Sequence, residues 1–214
     1  MSESRRGPAY RIETARLVLR CYAPTDARLV VEAITSSLDH LRPWMPWAER
    51  EPESVAAKAA RLREFRGKFD LGMDFAYGIF DRTETRVLGS CGLHTRLGPD
   101  ALEIGYWIHQ DSIRQGLGTE MAAALTRVGF ELHPVDRIEI RCEPTNAASA
   151  GVPHKLGYRH EATLPRRLRS GDDSAAKLRD AMIWTLYRSE LPASPVERLA
   201  ADIQAFDVIG ERLL

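Results

Sequence analysis

Short segments in which hydrophobic and polar residues alternate recur along the chain and predict a β-sheet. The first is RLVLRCY at residues 16–22, which has the alternation of a half-buried strand. Similar segments, bounded by charged or Gly/Pro turns, lie at 75–80, 87–97, 102–109, 137–142, 158–164 and 181–187. The pattern therefore predicts about seven strands. The last two are predicted to form a hairpin whose connection is a hydrophilic loop at 166–173.

Helical patterns are inserted between some of these strands. Pro24 and Pro52 lie near the starts of two predicted helices, where proline is tolerated. Further helical segments are predicted at about 117–131, just before Gly157, and in the amphipathic tail at 192–214. A regular doubly wound sheet would need helices between nearly every pair of strands, and none is predicted from 75 to 109. The pattern therefore predicts an α+β fold with a mixed sheet flanked by helices.

Composition narrows the possible partners and the compartment. The 214 residues are 44% hydrophobic and 28% charged, which is enough apolar material for a globular core. Thirty basic residues balance 30 acidic residues, so no overall field would attract nucleic acid or an anionic membrane, and we expect neither as a partner. The three cysteines lie far apart and are predicted to be buried thiols of a reducing compartment. Without an apolar targeting or membrane-spanning segment, the chain is predicted to be cytoplasmic.

The segment RQGLGTE at 114–120 places two glycines at the start of a predicted helix. The first N–H groups of a helix have no partner within it, and they carry the positive end of the helix dipole. Such a site suits a diphosphate. The predicted phosphate loop consists of Arg114, Gln115, Gly116, Leu117, Gly118 and Thr119. A nucleotide P-loop is excluded, because no Lys-Ser/Thr pair follows the glycines.

Together with four further motifs, this loop resembles the GNAT N-acetyltransferases and, within them, the RimJ/RimL-like branch. The resemblance covers Thr14 to Arg188 and rests on TARLVLRCY, HLRPWMPWAE, EIGYWI, RQGLGTE and N-x-x-S followed by KLGY, in that order. It implies a mostly antiparallel sheet, splayed between its fourth and fifth strands, with acetyl-CoA as cosubstrate in the cleft. The implied acetyltransferase domain spans 1–190, and the helical tail at 191–214 is an appendage.

One position departs from the family pattern. The phosphate-loop pattern of the family usually begins with Arg or Gln one position before Arg114, and here that position is Ile113. Because a phosphate cradle depends mostly on backbone N–H groups, diphosphate binding is expected to survive this change.

The strand LEIGYWIH is predicted to supply both cofactor contacts and a catalytic group. The resemblance implies that its backbone pairs with the pantetheine arm, which indicates Trp107, Ile108 and His109 as cofactor-binding residues. Glu103 lies on the polar side of the strand and is the candidate general base, acting through water. The alternative is a sheet carboxylate that is solvated or paired with a neighbouring arginine.

Asn146 and Ser149 have the N-x-x-S spacing of the RimL-like enzymes. The resemblance implies that Asn146 helps to hold the cofactor and that the Ser149 hydroxyl faces the CoA sulfur as a proton donor. The alternative for both is helix capping. Pro153 predicts a helix that begins near Ser149, because proline is tolerated in the first turn. Many GNAT enzymes have a donor tyrosine at the position of Pro153, so that version of the mechanism is excluded.

Aromatic residues in a loop that prolines make rigid indicate where the acceptor amine binds. Trp44 and Trp47 are the candidate substrate-binding residues, and core packing is the alternative. His94 and His109 are predicted to border the cleft or to be satisfied strand histidines. No histidine spacing is typical of a metal site, and no metal is expected.

These features predict an N-acetyltransferase that moves acetyl from acetyl-CoA to a primary amine by direct attack. The amine is either a protein N-terminal α-amine or that of a small molecule. A non-catalytic acyl-CoA-binding sensor is the alternative, and it would keep the glycine loop without the catalytic groups. The apolar face of the 192–214 tail is expected to pack either on its own domain or on a second subunit, so a homodimer is one of the alternatives.

Overall fold

A computed structural model describes residues 7–169 and 178–214. Within them the chain forms nine strands and six α-helices. The strands are β1 (Arg11–Glu13), β2 (Leu17–Cys21), β3 (Phe75–Asp81), β4 (Val87–His94), β5 (Ala101–Ile108), β6 (Arg137–Cys142), β7 (Arg159–Arg169), β8 (Leu178–Tyr187) and β9 (Gln204–Phe206). The helices are α1 (Ala27–Ser36), α2 (Leu38–Leu41), α3 (Val55–Asp70), α4 (Leu117–Leu132), α5 (Ala147–Lys155) and α6 (Pro195–Leu199).

All the described strands belong to one sheet, in the order β7-β8-β6-β5-β4-β3-β2-β1-β9. Its neighbouring strands pair antiparallel except β5 and β6, which are parallel. The predicted α+β class with a mostly antiparallel sheet is therefore confirmed. No helix in the described ranges is both long and apolar enough to cross a bilayer.

The number of strands and the conformation of the tail differ from the prediction. Two three-residue strands, β1 and β9, are too short to show a period of two in the sequence. They pair with each other and bury Ile12 against Ala205, both fully inaccessible to solvent. The prediction of a wholly helical tail is wrong, because the helix α6 ends at Leu199 and β9 extends the sheet.

The hairpin at the other edge is confirmed, since β7 and β8 pair antiparallel. However, β7 continues to Arg169, so the first part of the loop predicted at 166–173 is strand. Residues 170–173 of that loop lie outside the described residues.

The alternation of β5 divides its side chains between two apolar clusters, one on each face of the sheet. Leu102, Ile104 and Ile108 pack in the cluster that contains the buried side of α4. Trp107 packs in the other cluster, with residues of α1 and α3. The predicted parity of the strand is therefore confirmed, and Glu103 lies on the same face as Trp107.

The parallel contact between β5 and β6 is short. Its four registered pairs run from Ala101–Arg137 to Ile104–Ile140. In the described structure, residues 105–108 of β5 are registered with β4 alone, and 141–142 of β6 with β8 alone. The chain enters α4 after β5 and α5 after β6. Because the strands are parallel, both helices begin at the same edge of the sheet, where ligands commonly bind in such folds.

Candidate active site

The phosphate loop lies where the sequence predicts it, at the start of α4. Gly116 is the N-cap residue and has φ +80°, a left-handed conformation that favours glycine. Arg114 is also left-handed, with φ +58°. Since Gly116 has no side chain to cap the first turn, the N–H groups of Leu117, Gly118 and Thr119 keep the open donors of a helix N-terminus. The loop therefore has the backbone of an anion cradle.

A cation that the sequence analysis did not single out lies beside this loop. The Arg16 guanidinium donates a hydrogen bond of 2.7 Å to the Gln115 carbonyl and pairs with Glu120 at 2.6 Å. Glu120 also accepts hydrogen bonds from the Thr14 hydroxyl and the Arg16 N–H. Arg16 is about 100 residues away in sequence, so no local pattern could connect it with the loop.

Beyond Ile104, β5 has an open edge that faces away from β4. The His109 N–H donates to the Leu88 carbonyl at 2.8 Å, so the backbone of His109 faces β4. Backbone groups alternate in direction along an antiparallel strand. The main-chain groups of Ile108 and Tyr106 therefore face the open edge, and those of Trp107 face β4.

Of the three residues predicted to pair with pantetheine, Ile108 is the one whose backbone faces this edge. The Trp107 side chain is 8% exposed and lines the cavity described below. His109 is buried; its Nδ1 accepts a hydrogen bond from the Asp111 N–H, and its Nε2 lies 2.8 Å from the Ser36 hydroxyl. These contacts place the His109 side chain in the turn that precedes the phosphate loop.

The helix α5 begins earlier than Pro153 predicts. Its first residue is Ala147, and the Asn146 side chain caps it by accepting a hydrogen bond of 3.0 Å from the Ser149 N–H. Pro153 is therefore inside the helix, where it supplies no N–H to the Ser149 carbonyl four residues before it. The prediction of a start near Ser149 is wrong, and Asn146 makes the capping contact considered as an alternative.

Tyr106 of β5 takes the place of the missing helical donor. Its hydroxyl lies 3.4 Å from the Ser149 carbonyl and 3.1 Å from the Ser149 hydroxyl. Burial raises the pKa of Tyr106, so the phenol keeps its proton as a donor. Tyr106 was not predicted as a site residue, because it shares the apolar parity of Ile104 and Ile108, which is typical of a core residue.

A cavity of about 590 Å³ joins several of the predicted site residues. Trp44 and Trp47, Glu103, Trp107, Asn146 and Ser149 all line it. Trp47 is 37% exposed and its ring centroid is 6.2 Å from that of Trp107, so it forms part of an aromatic wall rather than of a closed core. The residues of the phosphate loop are not part of this lining. The acceptor, base and donor candidates thus share one space.

Glu103 is held by an arginine in this cavity. Its two carboxylate oxygens accept hydrogen bonds of 2.8 and 2.5 Å from Arg96, and the residue is 8% exposed. This is the paired arrangement considered as the alternative to a base. In the sheet register, Glu103 lies opposite His94 on one side and Glu139 on the other. Directly opposite residues share a face, so the three side chains form a charged row.

A second charged group lies in the wall formed by α3. Lys58 is 2% exposed, contacts Glu51, and lies 3.0 Å from a carboxylate oxygen of Glu53. Hydrogen bonds from Arg61 and Lys58 lower the pKa of Glu53 to about 2. Because each buried charge has partners, the cluster forms a polar wall that can stay ionised.

Possible metal ligands and cysteine thiols are the remaining groups that could take part in chemistry. In residues 7–169 and 178–214, no group of three or more His, Cys, Asp or Glu side chains is arranged to hold a metal ion. Cys21, Cys91 and Cys142 are free and buried, as predicted. Burial raises the pKa of each thiol, that of Cys21 to about 12.

The family model described as "Acetyltransferase (GNAT) domain" matches residues 16–159. The [ribosomal protein uS5]-alanine N-acetyltransferase of Escherichia coli (strain K12) is 27% identical over 159 residues, which are 72% of this chain and 80% of that protein.

Solved structures of RimJ and of a ribosomal-protein acetyltransferase are also similar to this chain. Mycobacterium smegmatis RimJ, in complex with CoA-disulfide, superposes with a TM-score of 0.74 at 25% identity, over 86% of this chain and 88% of that one. The ribosomal-protein-S5-alanine acetyltransferase of Vibrio fischeri superposes with a TM-score of 0.73 at 18% identity, over 85% and 98% of the two chains, and supports the fold alone. With a glycine-opened helix beside the open edge of β5 and a family match over most of its length, the chain belongs to the GNAT acetyltransferase family, and relatives of the RimJ/RimL branch are among its matches.

Proposed function

We propose that this protein transfers an acetyl group from acetyl-CoA to the N-terminal α-amine of a protein, by direct attack of the amine on the thioester. The observation that carries the proposal is a set of neighbouring features at the split between β5 and β6, the region beyond Ile104 and Ile140 where the two strands are no longer paired. The phosphate loop, the open edge of β5, the Ser149 hydroxyl and the cavity follow one another there.

Residues of the chain fit the parts of the cosubstrate. The loop at 114–119 offers backbone N–H groups to the diphosphate. The main-chain groups of Tyr106 and Ile108 are open to the amides of the pantetheine arm. Asn146 lies at the far side of the split and borders the cavity. When bound, acetyl-CoA supplies the activated acyl group.

Ser149 and Tyr106 are proposed as the donors at the sulfur. Acyl transfer leaves a thiolate, which needs a proton or a hydrogen bond as the C–S bond breaks. The two hydroxyls are 3.1 Å apart, so the single phenolic proton can turn from the Ser149 carbonyl to the serine oxygen and replace a proton that the serine gives up; the phenol then regains a proton from solvent. An acyl-enzyme route is disfavoured, because raised pKa values keep the buried cysteines as thiols rather than nucleophilic thiolates.

Glu103 is proposed to act on the acceptor amine through a water molecule. Arg96 takes one hydrogen-bonding direction at each carboxylate oxygen. A carboxylate has about four acceptor sites, so two remain to orient water. The negative charge of Glu103 also lies on the cavity wall, where it attracts an ammonium group before it loses its proton.

The acceptor class is proposed from the relatives and from the cavity. The similar protein of Escherichia coli is named for an alanine of a ribosomal protein. Trp44, Trp47 and Trp107 line the cavity of about 590 Å³, which we propose to receive the first residues of an extended peptide. Both proposed substrates are cytoplasmic, so we propose a cytoplasmic enzyme; a homodimer stays a prediction.

Calorimetry with acetyl-CoA, followed by release of free CoA thiol with peptides, tests this function. We expect binding, and CoA release with peptides that begin with a free α-amine but not with the same peptides blocked at the N-terminus. Mass spectrometry should show one added acetyl group. Binding without amine-dependent release would instead favour an acyl-CoA sensor.

The residue roles have a separate test. Ser149→Ala and Glu103→Gln should each lower kcat by about ten-fold to 100-fold, with a smaller change in the affinity for acetyl-CoA. If both variants keep the wild-type kcat, the assigned roles are wrong. Acetyl transfer by the wild-type enzyme tests the function itself independently of these roles.

A further inference from the structure

We propose that His94, held by Asp74, is a second proton acceptor for the attacking amine, next to Glu103. The inference rests on the proposed acetyl transfer and adds a catalytic residue to it. His94 belongs to the charged row and lines the same cavity as Glu103.

The Asp74 carboxylate fixes the orientation of the imidazole. Its oxygens lie 2.9 and 3.2 Å from His94 Nδ1. Because Phe75 is registered with Leu93, Asp74 lies directly opposite His94 at the end of the strand pair. The Thr95 hydroxyl donates to the Met73 carbonyl at 2.7 Å and ties the turn that carries Asp74 to the strand that carries His94.

This contact determines which nitrogen can accept a proton. A carboxylate accepts a hydrogen bond from Nδ1–H, so in the neutral ring the lone pair lies on Nε2. Among the described residues, Nε2 of His94 has no hydrogen-bond partner. The side chain is 21% exposed, so Nε2 is open to a molecule in the cavity.

Two glycines form the floor on which the imidazole lies. Gly92 and Gly105 are registered partners on β4 and β5. A Cβ added at Gly92 would lie 2.8 Å from His94 Nε2, and one added at Gly105 would lie 3.0 Å from the same atom. Any other residue at Gly92 would push the ring away, so the absence of a side chain there permits this position of Nε2. The glycine of the EIGYWI motif thereby gains a role in placing the histidine.

Charged groups from several elements face His94. Asp74 approaches from the turn before β3, and Glu103 from β5, while the Arg96 guanidinium is engaged by Glu103. The cavity lining also includes the paired charges of Glu53 and Arg61. In the sheet register, His94 therefore lies between the carboxylates of Asp74 and Glu103.

The step conserves atoms and charge. An N–H bond of the acceptor ammonium breaks while the Nε2–H bond of His94 forms, and the freed lone pair attacks the thioester carbon. As the C–S bond breaks, a second N–H bond of the attacking nitrogen breaks and that proton passes through water to solvent. The Ser149–Tyr106 pair gives one proton to the thiolate and regains one from solvent. Asp74 acts through the imidazole that it holds, so it is a positioning residue. His94 returns its proton to solvent after the product leaves.

Kinetics of His94→Gln, His94→Ala and Asp74→Asn test the assignment, with His160→Gln as the matched control. His160 is an exposed strand histidine outside the cavity lining. We expect His94→Gln to lower kcat by about ten-fold or more, to leave the affinity for acetyl-CoA unchanged, and to remove one ionisation from the acidic limb of the kcat/KM profile. Asp74→Asn should give a smaller loss of kcat, because the imidazole keeps a hydrogen-bonding partner but is less firmly oriented.

Two further measurements distinguish a catalytic role of His94 from a structural one. Added imidazole should restore part of the activity of His94→Ala, because the space above the glycine floor is then vacant, and His160→Gln should match the wild type. The inference is overturned if His94→Gln keeps kcat within about two-fold and the same pH profile, or if imidazole fails to rescue a folded His94→Ala. A wild type that releases no CoA with any amine overturns the proposed function itself.

Discussion

The Tyr106 hydroxyl lies 3.4 Å from the carbonyl of Ser149, the carbonyl that Pro153 leaves without a helical partner. A residue of β5 thus completes the hydrogen bonding of α5, the helix that follows β6. The same hydroxyl lies 3.1 Å from the Ser149 side chain. One phenol therefore contacts both the helix backbone and the proposed donor Ser149, so we expect the local stability of α5 to be coupled to catalysis.

Tyr106→Phe is expected to lower the free energy of unfolding by about 1 kcal/mol, because the Ser149 carbonyl loses its donor. Pro153→Ala would restore the helical N–H. In the Pro153→Ala background, the loss of unfolding free energy caused by Tyr106→Phe should become smaller. Tyr106→Phe should still lower kcat in that background, because the proposed donor pair is incomplete. A double-mutant cycle measured by urea unfolding checks the coupling. Equal losses in both backgrounds would contradict it.

Asn146 offers a way to separate capping from cofactor binding. Asn146→Ala should cost about 1 kcal/mol of stability, since the Ser149 N–H loses its acceptor. Asn146→Asp keeps an acceptor of the same length and should keep the stability. If Asn146 also holds the cofactor, as the family resemblance implies, the aspartate should still raise the KM for acetyl-CoA by several-fold. A wild-type KM would leave capping as its role.

The glycines of the phosphate loop are expected to differ in their tolerance of a methyl group. Gly116 has φ +80°, so Gly116→Ala should strain the loop by about 1 kcal/mol and weaken acetyl-CoA binding. A Cβ on Gly118 would meet its nearest neighbours at 3.6 to 3.9 Å, which is ordinary contact. Gly118→Ala is the matched comparison and should bind better than Gly116→Ala in calorimetry. The reverse order would show that the backbone of Gly116 does not shape the site.

The Glu53 carboxylate predicts a pH dependence of stability. Hydrogen bonds from Arg61 and Lys58 lower its pKa from 4.5 to about 2. A group with a lowered pKa in the folded state stabilises it above its unfolded pKa, and this contribution is lost as the pH falls. Wild-type stability should therefore fall between about pH 4.5 and pH 2, and the fall should be smaller in Glu53→Gln. Parallel acid unfolding curves for the two proteins would contradict the assignment.

Local patterns led to much of the site. The glycines at 116 and 118, the polar parity of Glu103 and the N-x-x-S spacing are all visible in segments of fewer than ten residues. The same patterns led to errors where a distant partner matters. Pro153 predicted a helix that starts too late, because the phenol of Tyr106 compensates for its missing N–H. The tail was predicted to be helical, and its pairing with β1 makes part of it a strand.

Features that depend on near neighbours could be predicted from the sequence: the alternation of the strands, the glycine-opened helix of the phosphate loop, and the class of fold that they build. The contacts of Arg96 with Glu103, of Tyr106 with Ser149, and of Asp74 with His94 over two glycines become visible only in the folded chain. These contacts join different segments of the chain and depend on strand register. A shift of one residue moves each side chain to the other face of the sheet, so no local pattern encodes them.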